Sequence, residues 1–420
     1  MKRVALLLIT LIFFSPSFLR AEEITLTLEQ AVALALRDNR DILLKTQDVM
    51  KAKKKIAEAQ SGLFPTLNFT GGWTDTRGYY SKDLGQTTTQ TTLKQYLYKG
   101  GKIMNSIEQD KRKFEVSSAL LYKTKLEVAL NVQKAFYTLL LAGEFAGLNK
   151  SIVDNTREHL DFIKERYQNG QTSTSEILNL EASLSSVRQV YEESLNQIDS
   201  SLALLNNLLY LDKEVKIKPD AQFDYEPKEL AFDDAFLEAM KRRPEITQYD
   251  AQARADKNAI EIAKADSRPN VYASWDYYSR SHLATGASRN WNDYNVIGLT
   301  FSWPIFDGWA TRHKVEQAII DLKETQLLKE KAVKDIVLEL RNAYIALRNA
   351  LVELDSAASD IKVYLDNLLS VKGKCSQGIA SSLELSDADL KYKISLFNKK
   401  QAIYDYIIAK ASFEKATGGL

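Results

Sequence analysis

Apolar positions along this chain follow a helical period, switch to a period of two, and return to a helical period, and the whole progression occurs twice. Thr27 and Gln30 have the spacing of a capping box, in which each side chain serves the other's backbone amide, so a helix starts there. It falters at Asp38 to Asp41. The counterpart of that break, Arg242 to Glu245, places Pro244 at the first position of a new helix. A short helix and then a longer one are predicted in each half. The longer one ends before Pro65 or Pro269, because proline pushes the preceding residue out of helical geometry.

Beyond each proline the side chains alternate. Leu67, Phe69, Gly71 and Trp73 stand against Thr66, Asn68, Gly72 and Thr74, while Val271, Ala273, Trp275 and Tyr277 stand against Ser274 and Asp276. Ile297, Leu299, Phe301 and Trp303 form one face of a further strand, with Gly298, Thr300 and Ser302 on the other. Its counterpart in the first half alternates weakly. Strands are expected at residues 65–76, 87–98, 269–280 and 294–304.

The helical period then resumes, with long helices expected over 102–168, 174–210, 310–374 and 382–417. Lys102 to Gln168 contains no proline and only Gly143 and Gly147 as glycines, and one helix of that length runs about 100 Å. On the return helix, Ile177, Leu180, Leu184, Val187, Tyr191, Leu195, Ile198, Leu202 and Leu205 recur at a mean spacing of 3.5 residues, the seam of a coiled coil.

An internal duplication explains the recurrence. Gln30–Ile42 matches Asp234–Ile246 at an offset of 204, as Pro65 matches Pro269; at an offset of 208, Gly100 meets Gly308 and Gly170 meets Gly378. The repeats are expected to occupy 22–226 and 227–420, with the change of offset absorbed in a loop. Each repeat interrupts its long helices once, at "NGQTSTSEIL" and at "QGIASSLELS". Gly170 and Gly378 are expected to stop one helix, and Ser173–Glu176 and Ser381–Glu384, both S-x-x-E, to restart the next as capping boxes. Carboxylates in a first turn, here Glu176, Glu384 and Asp387, also suit the helix dipole.

With 56 Lys and Arg against 55 Asp and Glu, no net field draws the chain to nucleic acid. Its first 21 residues have a basic start, an apolar run from Val4 to Phe14 and a small residue at Ala21, the pattern of a secretory signal peptide. Glu22 rather than cysteine follows, so no lipid anchor through cysteine is expected, and the single Cys375 has no internal disulfide partner. No apolar stretch is long enough for a membrane helix. Neither a catalytic motif nor metal-ligand spacing stands out. His159, His282 and His313 are expected in solvent or loops, and no cofactor or metal is expected.

Four strands cannot close a barrel, and an open sheet in lipid would leave edge amides and carbonyls unpaired. If the sheet lies in a membrane, several chains must share one barrel. Trp73, Tyr79, Tyr80, Trp275, Tyr277, Trp291, Tyr294 and Trp303 would then form aromatic girdles at its rims. The alternative is a soluble pair of hairpins packed on helices, as in a non-transporting periplasmic coiled-coil scaffold.

The duplicated opening "LTLEQAVALALRDNRDI", the strand entries "SGLFPTL" and "DSRPNV", then "WPIFDGW", "RYQNGQTSTSEIL" and the terminal "ATGGL" together resemble the TolC family of outer-membrane efflux and secretion channels, over essentially the whole mature chain. The resemblance implies an α+β membrane protein. In it, a homotrimer shares one twelve-stranded β-barrel, four strands per chain, above a long coiled-coil α-barrel, with a mixed equatorial belt from the 215–227 connection and the carboxyl end. It further implies a passive exit duct in the outer membrane of a Gram-negative bacterium, reaching into the periplasm as part of a tripartite efflux or type I secretion system. The implied partners are outer-membrane lipid, a periplasmic adaptor (membrane fusion protein) and an inner-membrane transporter of RND, ABC or MFS type, which supplies the energy. Glu384 and Asp387 match the family's acidic pore-lining positions, and Ser175 and Glu176 match residues that contact a neighbouring hairpin's latch. Gly170, Gln171, Thr172 and Ser173, with Gly378, Ile379, Ala380 and Ser381, are the implied adaptor-docking tips. Three departures stand out: Trp309 follows Gly308 where a second glycine is usual, Tyr96 stands where a proline would be, and Ile379, Ala380 and Ser381 occupy the stretch of the family's basic latch residue.

Overall fold

The computed structural model describes residues 23–79, 82–212, 214–225, 231–284 and 290–419. The signal-peptide region and Tyr80 lie outside the described residues. In chain order the elements are β1 (Glu23–Leu26), α1 (Leu28–Asp38), α2 (Arg40–Ser61), β2 (Thr66–Tyr79), β3 (Lys82–Lys99), α3 (Lys102–Gln168) and α4 (Thr174–Leu209). Then come β4 (Lys216–Pro219), α5 (Phe232–Arg242), α6 (Pro244–Ala265), β5 (Asn270–Ala284), β6 (Asn290–Ser302), α7 (Ala310–Ser376) and α8 (Ser382–Thr417). The Thr27 hydroxyl accepts from the Gln30 amide at 3.3 Å and the Gln30 side chain accepts from the Thr27 amide at 3.1 Å, a complete capping box. Asn39 caps α2, and Pro244 opens α6.

The chain forms two compact units. One holds the residues up to Ala35, Asn131–Asp224 and Ala357–Tyr404; the other holds Leu36–Leu130, Tyr225–Ser356 and Asp405–Leu420. Both draw on both sequence repeats. The compact units therefore do not coincide with the sequence repeats.

In the first unit every seam position of α4 from Ile177 to Leu205 is buried or half-buried, while most positions between them are exposed. Ser194 and Ser201, 2% and 3% exposed, lie beside that seam at a seven-residue interval and allow close helix approach. A parallel pairing that sequence periodicity does not reveal joins β1 to β4, with Ile24 opposite Ile217.

The second unit carries a four-stranded antiparallel sheet in the order β2-β3-β5-β6. Opposed residues share a face, so the pairings Leu67↔Leu93, Leu93↔Trp275 and Trp275↔Ile297 run one apolar row across the sheet. Phe69, Trp73, Ile297, Leu299 and Phe301 on this face are all more than 60% exposed, an arrangement water disfavours and lipid accepts. The opposite face carries Asn68, Thr92, Asp276, Tyr278 and Thr300. β3 alternates weakly in sequence because threonines fill both of its faces.

Trp73, Trp275, Tyr277 and Trp291 belong to the apolar face, and Trp303 follows Phe301 with its indole donating to the Ser267 carbonyl at 3.1 Å. Tyr294 does not join them. It pairs with Tyr278 on the polar face, the rings stacked at 4.9 Å, because the β5–β6 register sets both at even positions. The side chain of Tyr79 lies outside the described residues.

Both strand-to-helix turns use left-handed backbone. Gly100 and Gly101 have φ of 61° and 82°, and Gly308 and Trp309 have 66° and 69°. Trp309 adopts this conformation despite its Cβ, stacked edge-on with Phe306 at 5.8 Å.

Candidate functional site

The two helix interruptions are built alike at their entrances. At the end of α3 the Gly170 amide donates to the Tyr167 carbonyl and the Gln171 amide to the Arg166 carbonyl, both at 2.9 Å; Gly170 has φ of 72°. At the end of α7 the Gly378 amide donates to Cys375 at 3.0 Å and the Ile379 amide to Lys374 at 2.9 Å, with φ of 74° at Gly378. Each is a Schellman stop, in which a left-handed glycine turns the last free carbonyls back onto the chain.

Their exits differ. Ser381 and Glu384 form the expected capping box: the Glu384 carboxylate accepts from the Ser381 amide at 2.7 Å and the Ser381 hydroxyl accepts from the Glu384 amide at 3.2 Å. Ser173 is the N-cap of α4 but makes no side-chain capping bond. The expectation of a capping box there fails because the Thr172 hydroxyl, one residue earlier, takes the Glu176 carboxylate instead.

Gly170, Gln171, Ser173, Ser175, Glu176, Gly378, Ile379, Ser381, Glu384 and Asp387 are all exposed, and Thr172 and Ala380 half-buried. Glu384 and Asp387 lie one turn apart on α8 and so share a face. Asp387 is engaged: its carboxylate lies 3.4 Å from His159 Nε2 on α3. Beside it, the Asn155 amide donates to the Ser386 hydroxyl.

His159 therefore departs from the expectation of a solvent or loop histidine. It lies within a helix with its side chain 16% exposed, and sequence spacing carries no sign of it because its partner is 228 residues away. His313 is exposed and bonds Glu316 at 3.2 Å; the side chain of His282 lies outside the described residues. In the same unit Lys164 and Glu181 join α3 to α4 at 2.9 Å.

The chain thus presents two helical hairpins ending in exposed Schellman turns and a four-stranded sheet with one apolar and one polar face. The chain belongs to the outer membrane efflux protein family, whose model matches it twice, over residues 31–209 and 237–419. The double match reflects the internal duplication. The outer membrane protein TolC of Escherichia coli is 21% identical over 413 residues, which cover 94% of this chain and 82% of that protein. Protein CyaE of Bordetella pertussis is 23% identical, covering 77% of this chain and 70% of its own. Among solved structures, the CmeC outer membrane channel of Campylobacter jejuni superposes with a TM-score of 0.79 at 19% identity, over 93% of this chain and 85% of that one. The fold is thus the TolC-like one. The protein is an outer-membrane efflux channel of this family, whose members are non-enzymatic transport proteins that form homotrimers.

Proposed function

We propose that three copies of this chain form the exit duct of a tripartite efflux or secretion system, docked through both tips to a periplasmic adaptor and energised by an inner-membrane transporter. The two-faced sheet carries this reading. Its edge strands β2 and β6 have no second partner within the described sheet, and β2 of one copy pairing β6 of the next would close a barrel without free edges. The second unit also leaves Ile319, Ile320, Leu327, Leu338 and Ile345 of α7 about half exposed, a stripe that neighbouring copies would cover.

At the tips, three copies of Glu384 and Asp387 would supply six carboxylates to a periplasmic constriction favouring cations. Asn179 stands where the second repeat has Asp387, so this charge comes mainly from the second tip. Ser175 and Glu176 would face a neighbouring hairpin. With Ile379, Ala380 and Ser381 in place of a basic residue, the latch would rely on hydrogen bonds of the kind joining Asn155 to Ser386.

Docking is tested by cysteines at Gln171 and Ile379, exposed sites next to the glycines whose left-handed backbone they leave intact, in a Cys375→Ser background. Cross-linking of both to a co-expressed adaptor in an exporting complex is expected. Absence of any cross-link while export persists would remove the tips from the docking surface.

A further inference from the structure

The polar face of the sheet carries more positive than negative charge, and each of its cations rests on tyrosine. Lys94 Nζ lies 3.8 Å from the Tyr272 ring centroid and 4.8 Å from that of Tyr96; Lys99 Nζ lies 4.5 Å from Tyr96. The Arg280 guanidinium lies 5.5 Å from Tyr278 and 5.7 Å from Tyr294. The register confirms one face: Lys94 opposes Ser274, Lys99 opposes Asn270, Thr88 opposes Arg280, and Tyr278 opposes Tyr294.

Among described side chains the charges on this face are these three cations and one carboxylate, Asp276, a surplus of two positive charges per chain. Asp276 is itself occupied, accepting from the Thr92 hydroxyl at 2.6 Å and the Gln90 amide at 3.1 Å. The rings hold the cations flat against the wall, where the charge stays fixed without blocking passage.

We propose that this face forms an anion-favouring filter in the barrel, selective for small anions and for solutes bearing carboxylate or sulfonate groups. The inference rests on the reading that the polar face lines a shared barrel. Three copies give nine cations against three carboxylates. From Ser274 to Arg280 the strand advances about 20 Å, so the cations border a long stretch of wall rather than a single ring. A low-dielectric wall focuses such a field into the lumen and raises the local anion concentration. Its sign is opposite to that of the carboxylates at the tips.

The test uses the purified full-length channel in planar bilayers under a tenfold KCl gradient, with the dilute side at about 0.1 M, where the screening length is about 10 Å. Lys94→Gln, Lys99→Gln and Arg280→Gln combined are expected to raise the K+/Cl− permeability ratio by about twofold or more. Asp276→Asn alone should lower it. Two further variants separate the filter from the barrel reading: Thr88→Cys on the polar face and Leu299→Cys on the apolar face, each in Cys375→Ser, exposed to a charged, water-borne thiol reagent. Block at Thr88→Cys with an unchanged permeability ratio in both charge variants overturns the filter and leaves the barrel standing. Block at Leu299→Cys and not at Thr88→Cys overturns the filter and the barrel reading alike.

Discussion

His159 Nε2 and Asp387 Oδ1 lie 3.4 Å apart, joining the last turns of α3 to the first turns of α8, and the imidazole nitrogen is buried with no hydrogen-bond partner among the described residues. With no hydrogen bond to this nitrogen, the facing carboxylate offsets its burial through charge alone, against a desolvation cost of about 1–3 kcal/mol. Asp387→Ala is therefore expected to loosen the start of α8. Hydrogen exchange at residues 383–390 should accelerate about tenfold, and His159→Leu in the same background should reverse most of that change. Equal exchange in all three proteins would show that the pair contributes nothing to tip order.

The glycines divide into two groups by backbone. Gly170 and Gly378 occupy left-handed conformations in Schellman stops, while Gly143 and Gly147 sit inside α3 with open space where a Cβ would lie. Alanine at Gly170 or Gly378 is expected to cost about 1–2 kcal/mol of local stability. Alanine at Gly143 or Gly147 should instead gain roughly 0.5–1 kcal/mol, by removing backbone freedom from the unfolded chain. Limited proteolysis at the tips reads the first pair, and thermal unfolding the second. Opposite signs within either pair would contradict the assignment.

Periodicity made the coiled-coil seam of α4 legible because every third or fourth residue from Ile177 to Leu205 is large and apolar. The apolar faces of β2, β5 and β6 were legible for a similar reason. Features that depend on which of two neighbours reaches a partner first were not. The Glu176 carboxylate has the spacing to accept from Ser173 yet accepts from the Thr172 hydroxyl, and no spacing rule distinguishes those donors. Tyr294 carries the composition of a membrane girdle, but its face follows from the register against Tyr278. The four-residue strands β1 and β4 are too short to show a period. At the tips the glycines and the Ser381–Glu384 box could be read locally. The His159–Asp387 contact could not, since it comes from helix packing rather than from chain order.

Gly100 and Gly308 occupy matching turns, yet they should tolerate alanine differently. A Cβ on Gly100 would lie 2.7 Å from the Ala265 carbonyl oxygen and 3.0 Å from the Arg268 Cβ, whereas one on Gly308 would meet nothing within 4 Å. Both substitutions strain a positive φ, but only the first drives a methyl group into α6. Gly100→Ala is expected to reduce the heat-modifiable oligomer in the outer-membrane fraction several-fold, and Gly308→Ala to leave more than half of it. Equal losses would mean that backbone strain alone, rather than the approach to Ala265, makes Gly100 necessary.

The carboxylate of Glu339 supplies a pH dependence whose sign follows from its surroundings. Burial favours its neutral form, but hydrogen bonds from Arg243 at 2.6 Å and Lys415 at 2.7 Å outweigh that, and its pKa is held below the ordinary glutamate range. Arg243, 4% exposed, also bonds Glu245 at 3.0 Å and the carbonyls of Lys415 and Ala416, so the cluster ties α6 and α7 to the end of α8. Because the folded form binds this proton more weakly than the unfolded chain, the contribution is fully present above the unfolded value of about 4.5. It is lost as pH falls through the lower folded value. The unfolding temperature of the detergent-solubilised protein should fall on acidification from neutrality toward pH 3.5. Glu339→Gln should unfold at a lower temperature than wild type at neutral pH, since it leaves Arg243 and Lys415 short of a charge, and should lose less on acidification. Parallel acid limbs for the two proteins would assign the pH dependence to other carboxylates.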